Sequence, residues 1–390
     1  MKKRIKSILS IIGLLCLIVF GLFYFLNYRV ISGSIQKIEF TPTQEYAPLT
    51  LDDSLVKPTN IIVVIADGMG FGHMSLAQQS MQTDEQPSVW DAFEVRGWHD
   101  ARNTYGPLTD SGASATALAT GSPTYFEMIG MDKDGNKLET LLEKAIDNGY
   151  RTGIVTDSYV WDATPAAFIT HTESRDNSED ILRQLAASDL DILFGELEDV
   201  GEDGNPDYDT TIQILEERFT LLDESLAIPQ GGIDSQPLAA IYKEDHIQDL
   251  DSKPSLLQLT QIALNELTGN DQPFVLMVEC EELDSSSHRN ATTRMIKGIA
   301  SLQSTLKLLQ NYAKDHGDTL ILFTSDHETG GMAALGDYSN YPNMEVIWAT
   351  KEHSATVVPY FALGPGAENF YGVKRNWHIG QVLKALVRSN

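Results

Sequence analysis

The chain has 390 residues, of which 42% are hydrophobic and 21% charged, so it is long enough to bury one large core of the α/β type. The formal net charge of -27 argues against a nucleic-acid partner, because phosphate backbones are bound by surfaces rich in Lys and Arg. For the same reason, an anionic substrate would need local positive charge at its binding site.

The N-terminal segment departs from this composition. Four basic residues within 1–7 precede a nearly uninterrupted apolar run at 8–26. At about 1.5 Å per residue, this run is roughly 28 Å long, close to the hydrocarbon core of about 30 Å in a bilayer. We therefore expect an uncleaved transmembrane signal anchor, with 1–7 in the cytoplasm and the rest of the chain periplasmic or extracellular. Cleavage of a signal peptide near 32–34 is the alternative.

Residues 27–58 mix Pro, Thr and Ser with scattered apolar residues and are interpreted as a stalk before a large domain at 59–390. In that domain, short β-branched runs alternate with helical patterns. The predicted strands are 60–66, 151–156, 191–194, 274–279, 319–324 and 357–363. Such alternation predicts a three-layer α/β/α sandwich with a mostly parallel central sheet. Residues 177–257 are acidic and weakly patterned, and we interpret them as an insertion that holds one strand.

Carboxylates and histidines follow several of these strands, where ligands of parallel sheets bind. Asp67 ends the first strand, ahead of a glycine turn. Asp284 and His288 follow the fourth strand four residues apart, a spacing that puts two side chains on one face of a helical turn, as a metal-binding pair requires. Asp326 and His327 are adjacent at the tip of the fifth strand. Each pattern alone also fits an ordinary turn or a capping residue.

Ser111 is the candidate nucleophile. It lies in 109–117, where small residues crowd together ahead of a predicted helix. Backbone amides and the positive helix end can face an anion there. The alternative is a capping residue followed by a small-residue helix packed in the core. Six histidines lack a strand-tip carboxylate and are interpreted as surface or core residues: His73, His99, His171, His246, His316 and His378.

Taken together, the motifs resemble those of the alkaline phosphatases, in the same order and from about residue 60 to the C-terminus. The matching segments are Asp-Gly-Met-Gly at 67–70, Asp-Ser-Gly-Ala-Ser-Ala-Thr-Ala at 110–117, Asp-Ala-Thr-Pro-Ala-Ala at 162–167, Glu-x4-Asp-x3-His at 279–288, Asp326-His327 and His353. The resemblance implies an alkaline phosphatase-like fold and hydrolysis of phosphate monoesters through a phosphoserine on Ser111. Because the family is often dimeric, it also makes a homodimer an expectation.

The resemblance further implies two zinc ions and one magnesium ion. The ligands of one zinc would be Asp284, His288 and His353. Those of the second zinc would be Asp67, Asp326, His327 and Ser111. The magnesium residues would be Asp67, Thr164, Glu279 and, through water, Asp162. Arg175 would bind two phosphate oxygens, and Asp110 would orient Arg175. Two metal ions about 4 Å apart can stabilise both oxygens of an in-line displacement, and phosphatases are known examples.

One position departs from the family pattern. Ser285 follows the implied zinc ligand Asp284, where relatives often have Lys, His or Trp, and this implies weak phosphate binding. A phosphodiesterase of the same superfamily is the alternative enzyme, but such relatives usually lack counterparts of Thr164, Glu279 and Arg175. An inactive phosphate-binding surface protein would require a missing ligand, and none is missing from the sequence.

Overall fold

The computed structural model describes residues 12–22, 38, 48–51, 55–80, 88–197, 201, 205–336 and 343–389. The chain divides into two compact units, Met1–Thr41 and Pro42–Asn390. In the first unit, residues 12–22 are helical, and the rest of the predicted 8–26 anchor lies outside the described residues. Among the helices that are described, none combines the length and the apolar character needed to cross a membrane.

The described part of the second unit alternates strands and helices. Its strands are β1 (Asn60–Ala66), β2 (Val95–His99), β3 (Arg151–Tyr159), β4 (Ile192–Leu197), β5 (Thr220–Leu221), β6 (Leu238–Lys243), β7 (Phe274–Cys280), β8 (Thr319–Thr324), β9 (Glu328–Thr329), β10 (Ala333–Gly336), β11 (Met344–Ile347), β12 (His353–Ser354) and β13 (Val358–Leu363). Its α-helices are α1 (Phe71–Ser80), α2 (Ser111–Thr120), α3 (Leu141–Asp147), α4 (Ala163–Ala167), α5 (Ser178–Ala187), α6 (Tyr208–Glu216), α7 (Gly232–Ser235), α8 (Leu256–Leu267), α9 (Glu282–His288), α10 (Thr292–His316) and α11 (Asn376–Leu386).

Nine strands form one sheet in the order β2-β13-β8-β1-β7-β3-β4-β6-β5. Neighbouring strands are parallel except for β13, which runs antiparallel to β8 and to β2. β1 lies between β7 and β8, and all seven of its residues are buried. After Asn60, the strand is a continuous run of apolar, mostly β-branched residues, which suits a strand that is covered on both faces. The prediction of a mostly parallel central sheet is therefore confirmed.

Helices cover both faces of this sheet. Ile61, Val63 and Ile65 of β1 belong to a core that also contains buried residues of α2–α6 and α11. Ile62, Val64 and Ala66 belong to a second core with residues of α1 and α7–α10. Because successive side chains of a strand point to opposite faces, these two cores lie on opposite sides of the sheet. The structure is thus the three-layer sandwich that the sequence predicts.

Two segments differ from their sequence interpretation. The sequence predicts one strand in 177–257, whereas the structure has β4, β5 and β6 there, which extend the sheet beyond β3. β5 has only two residues, and β6 lacks a β-branched run, so neither carries a clear strand pattern. Within the predicted stalk, Leu49 packs on the core that contains α11, and its backbone N–H donates to Gln381 Oε1 at 2.7 Å. The folded domain therefore begins before residue 59.

Candidate active site

The carboxyl ends of three central strands bring predicted ligands together. Asp67 directly follows β1, Glu279 is the penultimate residue of β7, and Asp326 follows β8 by two residues. The parallel register puts Glu279 beside Ile65 of β1 and Thr156 of β3. Asp67 is only 2% exposed, and Glu279 and Asp326 are fully buried. The centre of the sheet thus holds three carboxylates in a confined, water-poor space.

Asp67, Asp326 and His327 form what we call the inner ligand group. His327 Nε2 lies 3.4 Å from Asp67 Oδ1 and 3.2 Å from Asp326 Oδ2. Ligand atoms of the three residues all lie within 4.8 Å of one another, close enough to share one ion. Ser111 begins α2, and its Oγ lies 3.1 Å from the same His327 Nε2. These are the four residues that the resemblance implies for the second zinc.

Asp284, His288 and His353 form the outer ligand group. The spacing on α9 brings His288 Nε2 to 3.1 Å from Asp284 Oδ2. His353 arrives on β12, with its Nε2 3.2 Å from His288 Nε2 and 4.0 Å from Asp284 Oδ1. Ligand atoms of Asp284, His327 and His353 also lie within 4.8 Å of one another, so His327 stands between the two groups.

The predicted magnesium residues lie beside the inner ligand group. Thr164 Oγ1 donates to Asp67 Oδ2 at 3.2 Å, which makes Asp67 common to both sites. Thr156 Oγ1 donates to Glu279 Oε2 at 2.5 Å. Asp162 is the N-cap residue of α4, the short helix that carries Thr164. The N-terminal end of α4 thus positions Asp162 and Thr164, and β7 positions Glu279.

The residues present fit the implied ions. Four buried carboxylate oxygens lack a hydrogen-bond partner within the described part of the chain, and three of them belong to predicted ligands: Asp67 Oδ1, Glu279 Oε1 and Asp326 Oδ2. The fourth is Asp157 Oδ2, in the wall of the same cavity. A buried, unpaired carboxylate oxygen is costly, and a bound cation removes that cost. Histidine with carboxylate ligands suits zinc, whereas the oxygen-only set around Thr164 suits magnesium.

The pKa values reflect the same crowding. Burial, followed by the charges of neighbouring carboxylates, raises the pKa of Asp67 and of Glu279 well above the usual range. Burial and the nearby Asp284 raise the pKa of Asp326 to about 7. Burial alone would also raise the pKa of Asp284, but a hydrogen bond from His288 holds it below its usual value, and the same bond raises the pKa of His288 to about 8. Without metal ions, the centre therefore favours bound protons.

Arg175 lines the same cavity as Ser111, and among the described residues its ion-pair partner is Asp162. Arg175 Nη2 donates to Asp162 Oδ1 at 2.6 Å. Asp110 instead caps α2 and accepts a hydrogen bond from Glu127 N at 2.9 Å. Because Arg175 N donates to Glu127 O at 2.8 Å, the backbone of Glu127 connects Asp110 to Arg175. Both carboxylate oxygens of Asp110 are engaged by backbone N–H groups, and the orientation of Arg175 by Asp110 stays a prediction.

The histidines that the sequence assigns to other roles have other partners. His73 is fully buried, and its Nε2 lies 2.9 Å from Ser287 Oγ. His171, which is close to Arg175 in sequence, pairs with Glu143 through its Nε2 at 2.8 Å. Both are satisfied polar groups of the fold.

The centre opens into a cavity of about 240 Å³ whose wall includes residues that sequence reasoning missed. Among them are Asp157, Glu196, Glu281, Arg289 and Arg294. Glu281 and Arg289 each lie within two positions of a predicted ligand, and that proximity could have marked them. Glu196 and Arg294 carry no such signal, because only the folding of β4 and α10 brings them to the cavity.

The sequence model of the alkaline phosphatase family matches residues 58–193 and 242–345. The chain belongs to the alkaline phosphatase family. Members of this family are metal-dependent phosphatases. Alkaline phosphatase 4 of Bacillus subtilis is 25% identical over 92% of this chain and 94% of its own length. Alkaline phosphatase 3 of the same organism is 29% identical over 71% of this chain, and the match spans 63% of that protein.

A solved structure supports the same conclusion about the fold. The alkaline phosphatase from the Antarctic bacterium TAB5 is similar with a TM-score of 0.76 and 28% identity, over 86% of this chain and 100% of that one. A mutant of the TAB5 enzyme, 28% identical to this chain, has Mg bound. The predicted alkaline phosphatase-like fold is therefore confirmed.

Proposed function

We propose that this alkaline phosphatase hydrolyses phosphate monoesters to an alcohol and inorganic phosphate through a phosphoserine on Ser111, with two zinc ions and one magnesium ion. The observation that carries the proposal is the contact of Ser111 Oγ with His327 Nε2 at 3.1 Å. It puts the hydroxyl next to both ligand groups, since His327 stands between them. Zinc bound there would lower the pKa of a serine hydroxyl and stabilise the attacking and leaving oxygens.

The chain's own residues would perform the remaining steps. Ser111 Oγ attacks phosphorus, and a new O–P bond forms while the bond to the alcohol oxygen breaks. A water molecule then attacks the phosphoserine, which releases phosphate and restores the hydroxyl. The N-terminus of α2 favours negative charge at Ser111. Arg175 has guanidinium N–H groups beyond the one that Asp162 engages, and these can bind two phosphate oxygens.

Substitution of Ser111 tests this assignment. Ser111→Ala should leave metal content and unfolding temperature near those of the wild type, while turnover of a phosphomonoester falls by several orders of magnitude. A loss of tenfold or less would assign the chemistry elsewhere, because tenfold is only about 1.4 kcal/mol of barrier. Ser75→Ala, an exposed position on α1, is the matched control and should keep full activity. A phosphodiester measured in parallel separates the proposed activity from the phosphodiesterase alternative.

Removal and return of metal ions tests the proposed cofactors. Chelation should abolish activity, and zinc with magnesium should restore it better than either ion alone, because Asp67 belongs to both sites. Metal analysis should give two zinc ions and one magnesium ion per chain. Full activity in metal-free protein would contradict the proposal.

We also propose that residues 8–26 anchor the chain in the cell membrane, with the catalytic domain on the periplasmic or extracellular side. The basic residues in 1–7 and the length of the apolar run support this location. The full chain should sediment with membranes, and a chain that starts at Ile35 should be soluble and active. A mature protein that begins after residue 30 when purified from its host would instead favour a cleaved signal peptide.

The homodimer is a proposal that rests on the family resemblance. Sedimentation analysis of the soluble chain tests it.

A further inference from the structure

Three arginines line the cavity, and two of them are already engaged by carboxylates. Arg175 pairs with Asp162 at 2.6 Å. Arg294 binds both oxygens of Glu282, at 2.5 and 2.7 Å, and also contacts Asp245 at 2.6 Å. These two side chains therefore have fixed partners before any substrate arrives.

Arg289 differs from both. It is exposed to solvent, and it has no carboxylate within ion-pair distance among the residues that the structure describes. Its Nη1 donates to Ser285 Oγ at 2.5 Å, which draws the side chain over the end of α9. A guanidinium group has five N–H donors, so most of them remain available to an oxyanion in the cavity.

The position of Arg289 indicates which part of the substrate it can reach. Two residues of α9 are neighbours of Arg289. His288 belongs to the outer ligand group, and Ser285 follows Asp284 of that group in the chain. Ser111 contacts the inner ligand group. In an in-line displacement, the leaving oxygen lies opposite the attacking one. The leaving group therefore points away from Ser111, towards the side where Arg289 stands.

We propose that Arg289 binds an anionic substituent of the leaving group, so that this phosphatase favours monoesters whose alcohol carries a second acid group, such as a carboxylate or another phosphate. The inference rests on the proposed function, because it assigns the side of the leaving group from Ser111. In a chain with a net charge of -27, such a substituent needs a local cation, and among the described residues Arg289 is the cavity arginine that no carboxylate neutralises.

The inference also gives Ser285 a role. Its short side chain leaves room for Arg289 to fold across it, and its hydroxyl fixes the guanidinium. A Lys, His or Trp at 285 would occupy that space. Ser285 is thus a positioning residue for Arg289.

Three substrates with two-carbon leaving groups test the proposal: ethyl phosphate, O-phosphoethanolamine and 2-phosphoglycolate, whose leaving groups are neutral, cationic and anionic. Arg289→Gln should lower kcat/KM for 2-phosphoglycolate by roughly 5-fold, the effect of one partly solvated ion pair. It should leave ethyl phosphate within about 2-fold and raise kcat/KM for O-phosphoethanolamine. Arg289→Lys should recover part of the preference, and Ser285→Ala should weaken it.

Arg183→Gln is the matched control, since Arg183 is an exposed arginine on α5 that pairs with Glu179. It removes the same charge and should leave the ratios among the three substrates unchanged. Equal effects of Arg289→Gln on all three substrates, together with weaker inhibition by inorganic phosphate, would mean that Arg289 binds the transferred phosphoryl group, and would overturn the proposal. Unchanged ratios would overturn it as well. The turnover of Ser111→Ala would be measured in the same experiment. If this variant kept full turnover, the proposed function would have failed, whatever the effect of Arg289→Gln.

Discussion

Replacement of Asp326 by Asn should change stability in opposite directions with and without metal ions. Asp326 is fully buried, and its Oδ1 accepts hydrogen bonds from Gly68 N and His327 N, whereas its Oδ2 lacks a hydrogen-bond partner in the described part of the chain. Burial and Asp284 raise its pKa to about 7. A carboxyl whose pKa is raised by folding lowers stability as pH rises from its unfolded to its folded pKa.

The structure gives the size of both effects. An Asn side chain keeps the carbonyl oxygen that accepts the two N–H groups but carries no charge. A shift from 3.8 to about 7 corresponds to at most about 4 kcal/mol. Because neighbouring carboxyls share the bound protons, we expect Asp326→Asn to stabilise the metal-free protein by about 2 kcal/mol at pH 8. With metal ions, a zinc site saturated a hundredfold above its dissociation constant contributes about 2.7 kcal/mol, and the variant should lose most of this.

Thermal or denaturant unfolding at pH 8, in chelator and in excess zinc and magnesium, measures both effects. The variant should be more stable than the wild type in chelator and less stable with metal ions. At pH 5 in chelator the difference should shrink, because the wild-type carboxyl is then protonated. Asp271→Asn, at an exposed turn, removes one charge outside the centre and serves as the control. If Asp326→Asn were destabilising by the same amount in both conditions, the argument from charge crowding would be refuted.

Three further substitutions test separate parts of the account. Glu196→Gln should stabilise the protein by about 2 kcal/mol above pH 8 but not at pH 4. Burial raises the pKa of Glu196 to about 8, so the fold disfavours its ionised form, and denaturant unfolding at both pH values would show whether the gain in stability depends on pH. Arg175→Lys should weaken competitive inhibition by phosphate by roughly tenfold, since Lys cannot bind two oxygens in a fixed fork, and equal inhibition constants would remove Arg175 from the phosphate site. Ser285→Lys should strengthen the same inhibition by roughly 5-fold and lower the maximal rate, and an unchanged constant would mean that residue 285 does not reach the phosphate.

The sequence predicts the central strands more accurately than the edges of the sheet. The predicted strands 60–66 and 319–324 coincide with β1 and β8, because strands that are buried on both faces are uninterrupted apolar runs. β2 was missed because Val-Arg-Gly-Trp-His contains an arginine and a glycine, and it pairs with the sheet only through β13. Pairing of an edge strand depends on its neighbour, which lies far away in the chain.

The site divides in the same way. Asp67, Asp284 and Asp326 could be predicted because strand ends and helical spacing fix their positions locally, and the structure brings them into the two ligand groups. The ion pair of Arg175 with Asp162 could not be predicted, since the two residues are 13 positions apart and meet only through the folding of the segment that follows α4. The orientation of Arg289 likewise depends on the short side chain beside it.

Detection of a phosphoryl group on Ser111 tests the central claim most directly. The enzyme, loaded with zinc and magnesium, would be mixed with a phosphomonoester, quenched in acid within milliseconds, digested and analysed by mass spectrometry. The account predicts one phosphoryl group on the peptide that contains Ser111, and none in Ser111→Ala. Rapid turnover without a phosphorylated peptide, or with the phosphoryl group on another residue, would contradict it.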